Sequence, residues 1–232
     1  LSRKLNTVTD AIVGCSEGVR QVLLRRGYDA DKCIAISNGI KPDPFIDEPV
    51  PASKRPNDII MVARIAKQKD HRTLIEAIAI LQQRHVNVKL HLVGKGKPRI
   101  VDGLKQQVQT LGLESQVEFA GFRSDVPELL KSTRIFVQCT HYEGMPLTLI
   151  EAMAAGCAVV GSQVPGVQEV IVEDSNGLTH RHQDAEHLAD QLERLVKDDS
   201  LCDRLALSAR QDALSHYTQT QMSQHYLNLF RD

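Results

Sequence analysis

The sequence predicts an α/β protein built on a doubly wound parallel sheet. Three observations carry this. Short runs rich in Val and Ile alternate with longer stretches of helical periodicity through most of the 232 residues, the spacing of a parallel sheet with helices on both faces. A composition of 42% hydrophobic and 25% charged residues suits an ordinary globular core. Several apolar runs are also followed at once by glycines or cations, where open α/β sheets collect ligands at the carboxyl ends of their strands.

In chain order, "DAIVGC" reads as a strand, residues 17–26 as a helix and "KCIAIS" as a second strand. Residues 37–58, "SNGIKPDPFIDEPVPASKRPND", hold five of the nine prolines and show neither helical nor alternating periodicity, so they read as a linker. "DIIMVA" is the next strand, followed by a helix over 71–84 with Asp70 as N-cap and Leu74, Ile78 and Leu81 on one stripe. Then come "VKLHLVG", a helix over 100–112, "VEFAGF", a short helix over 126–131 and "RIFVQC". A helix starting at Pro146 or Leu147 and closed by Gly156 precedes the strand "CAVVGS". Two or three helices run from 184 to the end, and the last carries Met222, Tyr226 and Phe230 in one stripe.

About one β-α-β unit precedes the linker, too little for a domain. Residues 1–41 are therefore expected to be the tail of a truncated N-terminal domain, 42–57 an interdomain linker and 58–215 one doubly wound domain. Residues 216–232 are expected to form a helix packing back on the N-terminal segment. The start, "LSRKLN", lacks a methionine and has the rhythm of an interior stretch.

A net charge of −1 gives no basic field of the kind that binds nucleic acid without sequence preference. The five cysteines are odd in number and form no C-x-x-C pair, so neither a disulfide framework nor a metal site is expected, and a reducing, cytoplasmic location is. No apolar run approaches the roughly 18 residues of a membrane span.

Arg64 and Lys69 share the loop after "DIIMVA", where two cations at a helix start suit a phosphate or diphosphate; a solvated loop meeting nearby acids is an equal reading. Gly94 and Gly96 follow "VKLHLV" as a G-x-G lacking the third glycine of a dinucleotide fingerprint, so a tight turn is favoured there. Phe122 and Arg123 follow "VEFAG". In "HYEGMPLTLIEAMAAG", Glu143 precedes the helix start and Glu151 lies about one turn inside a helix that is apolar nearly all round. The amides of Met145, Leu147 and Thr148 are expected to be free donors at its positive end. A buried Glu151 needs a partner, either a protein arginine or ligand hydroxyls. Were the whole stretch helical, Glu143 and Glu151 would lie roughly 12 Å and about 80° apart, against the roughly 5 to 9.5 Å of paired glycosidase carboxyls. They read as clamps on an elongated ligand. Of the histidines, only His141 is placed near this site.

"EGMPLTLIEAMAAGCAVVGSQVPGVQEVI" resembles the Glu, seven residues, Glu motif of the retaining group 1 glycosyltransferases, in the Rossmann-like, donor-binding C-terminal half of their GT-B fold. "MVARIAKQKDHRTLIEAI" is similar to their arginine and lysine loop, "HLVGKGKPR" to their glycine turn, "VEFAGFRSDVPELLKSTRIFVQCTHYEG" to their base-binding region and "IAISNGIKPDPF" to their interdomain linker. The resemblance implies a nucleoside diphosphate sugar as donor, with Arg64 and Lys69 on the diphosphate and Glu143 on the transferred sugar. It places the amides over 144–147 (Gly144, Met145 and Leu147, with Pro146 between) on phosphate and hydroxyls, Glu151 on the ribose, and Phe122 and Arg123 against the base. It implies no cofactor and no metal. A saccharide or lipid-linked acceptor would reach the site through the missing domain, and peripheral membrane association stays open for the full-length protein alone. A non-catalytic nucleotide-sugar-binding module and a sugar-nucleotide epimerase are the alternatives.

Overall fold

The structure, a computed structural model, describes residues 7–231. Residues 1–6 and Asp232, the outer ends of the first and last expected segments, lie outside the described residues. Two short parallel strands, β1 (Ile12–Gly14) and β2 (Cys33–Ala35), flank α1 (Glu17–Arg25). After the linker, six strands form the main sheet: β3 (Asp58–Val62), β4 (Lys89–Val93), β5 (Val117–Gly121), β6 (Ile135–Gln138), β7 (Ala158–Ser162) and β8 (Leu178–His180). All six are parallel, in the order β5-β4-β3-β6-β7-β8. The chain winds outward from β3 to β5 and then crosses back to lay β6 beside β3. That reversal opens a crevice at the carboxyl ends of β3 and β6.

Alternation along β3 shows why both faces are covered. Ile59 and Met61 enter one core with α2 (His71–Gln83), α3 (Pro98–Thr110) and α7 (Ala185–Lys197). Ile60 and Val62 enter the other with α4 (Val126–Ser132) and α5 (Leu147–Ala154), as a side-chain period of two requires. Between β7 and β8 lies one short turn of helix, α6 (Pro165–Gln168). α8 (Asp199–His216) crosses between the cores, with Cys202 and Leu205 in the first and Ala209 and Ala213 in the second.

Some boundaries differ from expectation for physical reasons. α3 begins at Pro98 rather than 100, because proline's fixed φ suits a first helical position. Asp70 does occupy the N-cap position of α2, but at φ 34° in the left-handed region. Its carboxylate there accepts from the Thr73 hydroxyl (2.8 Å) instead of a backbone amide. Strand β8 was not expected; it is a three-residue edge strand with no alternation to read. α9 (Gln219–Leu229) buries no residue, and Phe230 beyond it is exposed, so the expected stripe does not close on a core. The start of α9 does meet the end of the N-terminal segment: Gln219 N donates to Ile40 O and Ile40 N to Tyr217 O, both at 2.8 Å, and Gly39 N to Met222 Sδ at 3.4 Å.

The buried guanidinium of Arg55 donates to the carbonyls of Val50 (2.8 Å), Leu130 (3.2 Å), Thr133 (2.9 Å) and Ala155 (3.0 Å). It joins the linker to the C-terminal ends of α4 and α5, where unsatisfied carbonyls and the helix dipoles favour a cation. Arg55→Leu strands these buried acceptors and is expected to lower unfolding free energy by about 3–5 kcal/mol, read as a fall in the urea midpoint; an unchanged midpoint would contradict the assignment.

Candidate active site

The loops at the carboxyl edge are sewn together where the strands end. Ala63 N donates to Val93 O (2.9 Å), Ile65 N to Lys95 O (2.9 Å) and Gly94 N to Gly121 O (2.7 Å), which carries the ladder beyond β3, β4 and β5. A Cβ on Gly94, at φ +147°, would sit 1.9 Å from Ala63 O, and one on Gly96 would sit 2.4 Å from Ile65 O. Both glycines thus serve a close approach of loop to loop. Arg64 stands exposed on this ridge, and its side chain has no hydrogen-bond or ion-pair partner among the described residues.

Lys69 lies across the crevice from the loop after β6, and its ammonium donates to the Glu143 carboxylate, each side chain about 15% exposed. The pair is reinforced by backbone. Gln68 O accepts from His141 N (2.8 Å), and Gln68 Nε2 donates to Tyr142 O (2.9 Å). Thr140 N donates to Ser162 Oγ (3.0 Å), whose hydroxyl faces His180 Nε2 at 3.1 Å. His180 Nδ1 lies 2.9 Å from Arg181 O, so that nitrogen carries the proton and Nε2 accepts. Burial pushes His180 down to about 4, which keeps this relay neutral.

α5 starts at Leu147 with Pro146 at its N-cap and no side-chain cap. The amides of Gly144, Met145, Leu147 and Thr148 find no acceptor among the described residues. Leu147 itself is 40% exposed, which corrects the expectation of an all-round buried helix. The other end closes as a Schellman motif: Gly156, at φ +74°, donates to Met153 O (2.9 Å) and Cys157 to Ala152 O (3.0 Å). Glu151 is half-buried, and its carboxylate has no hydrogen-bond or ion-pair partner among the described residues. Desolvation alone raises its pKa above the ordinary glutamate value. Among the described residues no arginine is its partner; the buried Arg55 donates to carbonyls, and Arg134 to carbonyls and Asp199.

At the β5 end, Phe122 is 66% exposed with Lys95 Nζ 4.9 Å from its ring centre, and Arg123 is bonded to Asp125 (Nε to Oδ1, 2.7 Å). A cavity of about 440 Å³ lies elsewhere, beneath the linker among Ile46, Val50 and Leu207, so concavity alone would misplace the site. Among the described residues no group of three or more His, Cys, Asp or Glu is placed to hold a metal, and no helix is long and apolar enough to cross a membrane.

Residues 43–212 match the family model described as glycosyl transferases group 1. The chain belongs to this family. A lipopolysaccharide core biosynthesis glycosyltransferase, LpsE of Rhizobium meliloti, is 31% identical over 171 residues, 74% of this chain and 48% of its own. The N,N'-diacetylbacillosaminyl-diphospho-undecaprenol α-1,3-N-acetylgalactosaminyltransferase of Campylobacter jejuni is also 31% identical, over 74% of this chain and 44% of its own. The chain therefore spans less than half the length of either relative. Among solved structures, Anabaena HepE in complex with UDP and glucose superposes with a TM-score of 0.91 at 22% identity, over 100% of this chain and 65% of that one. At such identity the likeness speaks for the Rossmann-like fold.

Within this group 1 chain several site residues carried no signal in spacing. Cys15, after β1, lies 3.2 Å from where a Gly144 Cβ would stand, so the N-terminal unit touches the motif loop. Glu169 accepts from the amides of Glu17 (2.8 Å) and Gly18 (2.6 Å), capping α1 from the other side of the linker. Met145 Sδ accepts from Asn38 N at 3.1 Å. Each contact joins residues more than a hundred positions apart.

Two expectations follow. Glu151→Gln removes a desolvated, unpartnered charge and is expected to stabilise the ligand-free chain by roughly 0.5–2 kcal/mol, seen as a higher melting temperature; a lower one would mean that the carboxylate has a structural partner. His71 and His180, both pushed down to about 4 chiefly by burial, stay neutral in the fold but take up a proton near pH 6.5 when unfolded. Stability is therefore full above about pH 6.5 and drains as pH falls toward 4, by on the order of 3 kcal/mol for each ring. Urea midpoints from pH 7 to 4.5 should fall in the wild type and fall less in His180→Gln.

Proposed function

We propose that this chain is the nucleotide-sugar-binding, C-terminal part of a glycosyltransferase that moves a hexosyl group from a nucleoside diphosphate sugar to a hydroxyl acceptor with retention of configuration. The observation that carries the reading is the set of unspent groups at one edge of the sheet: the free Arg64 guanidinium, the bare amides opening α5 and the unpartnered Glu151 carboxylate. Cation, amides and carboxylate in that order suit an anion with hydroxylated groups on either side.

In this reading Arg64 and Lys69 hold the diphosphate and stabilise its charge as the sugar departs, work that oriented cations and helix amides perform without a metal. The amides of Gly144, Met145, Leu147 and Thr148 share that anion and the sugar hydroxyls, Pro146 fixing the entry to the helix. Glu143 turns from Lys69 to a sugar hydroxyl, and Glu151 accepts from the ribose. Phe122 and Arg123 flank the base, while Gly94 and Gly96 keep the floor flat beneath it. Residues 58–215 form the donor domain in this reading, residues 42–57 its hinge, and residues 1–41 with 216–232 the part that adjoins an acceptor domain. A saccharide or lipid-linked acceptor enters from that side, at the cytoplasmic face of a membrane. UDP is the first nucleotide to try, because HepE holds it.

Calorimetry with UDP, GDP and ADP should show one of them binding. Arg64→Ala and Glu151→Gln should each weaken that binding about 10–100-fold, the loss of a charge-assisted contact. If no nucleoside diphosphate bound, or if Glu151→Gln bound as tightly as wild type, the assignment would fail. Product anomers from the full-length protein, read by NMR, test retention.

A further inference from the structure

Behind the Arg64 to Lys69 loop, on the side of α2 and α3, lies a cavity of about 320 Å³. Lys67, Asp70, His71, Arg72, Arg99 and His141 are among its lining. Lys67, Arg72 and Arg99 are exposed, and none of their side chains has a hydrogen-bond or ion-pair partner among the described residues. On a chain this rich in ion pairs, three unpaired cations around one cavity leave a local excess of positive charge. The one carboxylate present, Asp70, already accepts from Thr73 and lies 3.9 Å from His141.

Two further features point inward. α2 begins at this cavity without a side-chain cap, so its first-turn amides add donors at a positive helix end, and α3 adds the Arg99 amide, since Pro98 has no N–H and Ile100 N is spent on Lys97 O. His71 is only 3% exposed, lines the cavity, and its ring nitrogens bond to nothing among the described residues. A buried polar ring without a partner is costly unless a ligand or water meets it. Apart from His141, which the sequence places near the donor site, none of these residues belongs to the donor set, and the inference stands independently of the proposed function.

We propose that this cavity is a second anion site, built for a phosphate group, with Lys67, Arg72 and Arg99 supplying charge and His71 a buried ring donor. Free phosphate and the phosphate of a small monoester share that chemistry. Because Lys67 and Lys69 sit on one helical turn, the bound anion braces the loop that carries the donor-site lysine.

The test uses this chain with inorganic phosphate and, separately, a hexose phosphate, at constant ionic strength set with chloride. Phosphate should raise the melting temperature and move the His71 ring signals in NMR. The double variant Arg72→Gln/Arg99→Gln, whose altered side chains are exposed, should melt like wild type without phosphate and bind it at least tenfold more weakly. Arg64→Ala should retain phosphate binding. Tighter binding of the hexose phosphate would assign the occupant to monoesters, and equal binding to free phosphate; either supports the site. The proposal is overturned if phosphate does no more than chloride. It is also overturned if the His71 signals stay still, or if binding is lost in Arg64→Ala and kept in the double variant, which would place the phosphate at the donor loop. A double variant that melted well below wild type would be replaced by Arg99→Gln alone, judged by the same His71 signals.

Discussion

Much of the architecture hangs on what happens at the two ends of α5. At its C-terminal end the helix needs its last carbonyls satisfied: the Arg55 guanidinium takes that of Ala155 while also holding the end of α4 and the linker, and Arg210 takes that of Ala154. Gly156 turns the chain away in the one backbone region where a side chain would be strained, with Pro49 only 3.0 Å from where its Cβ would stand. With that end pinned, the N-terminal end projects into the crevice between β3 and β6 with its amides unspent. A cation buried at one pole of the helix thus accompanies bare amides at the other.

The crevice is ordered by its own charges. Lys69 and Glu143 neutralise one another across the gap. This holds both side chains in place and avoids leaving a mostly buried charge alone, the arrangement that is expensive in a protein interior. Among the described residues Glu151 has no such companion, and desolvation raises its pKa. A residue kept at a local cost, beside a helix end that lacks a cap, is the pattern expected where stability is given up for binding.

How far the sequence could be read follows from range. β3, α2 and α5 announce themselves because apolar periodicity and a proline or glycine at the boundary are local signals, and the two cores follow from the alternation of Ile59, Ile60, Met61 and Val62. Arg64, Lys69, Glu143 and Glu151 are visible as chemistry after strands, yet the Lys69 to Glu143 contact spans 74 positions and no local pattern encodes it. Gly94 and Gly96 read in sequence as a tight turn, and what the pattern does not show is that the turn lies close against Ala63 and Ile65. Arg55 lies in a proline-rich stretch with no periodicity to mark it; only the meeting of the linker with the ends of α4 and α5 makes it a core residue. Strand β8 is too short for any periodicity to show.

The segment before the linker also gains a meaning that its sequence lacks. α1 is capped at its start by its own Ser16 and by Glu169 from the other side of the linker, the latter through two short bonds to Glu17 and Gly18 amides. Glu169 follows directly on α6, and Gly166 within that helix lets the Glu143 and Gly144 carbonyls approach so closely that a Cβ would fall 2.3 and 2.6 Å from them. The same short element therefore grips the motif loop with one residue and the N-terminal unit with another. Any rotation of that unit about the linker must pull on Glu169, and through α6 on the loop that carries Glu143. The geometry of the loop that carries Glu143 and the position of the unit before the linker are mechanically one problem.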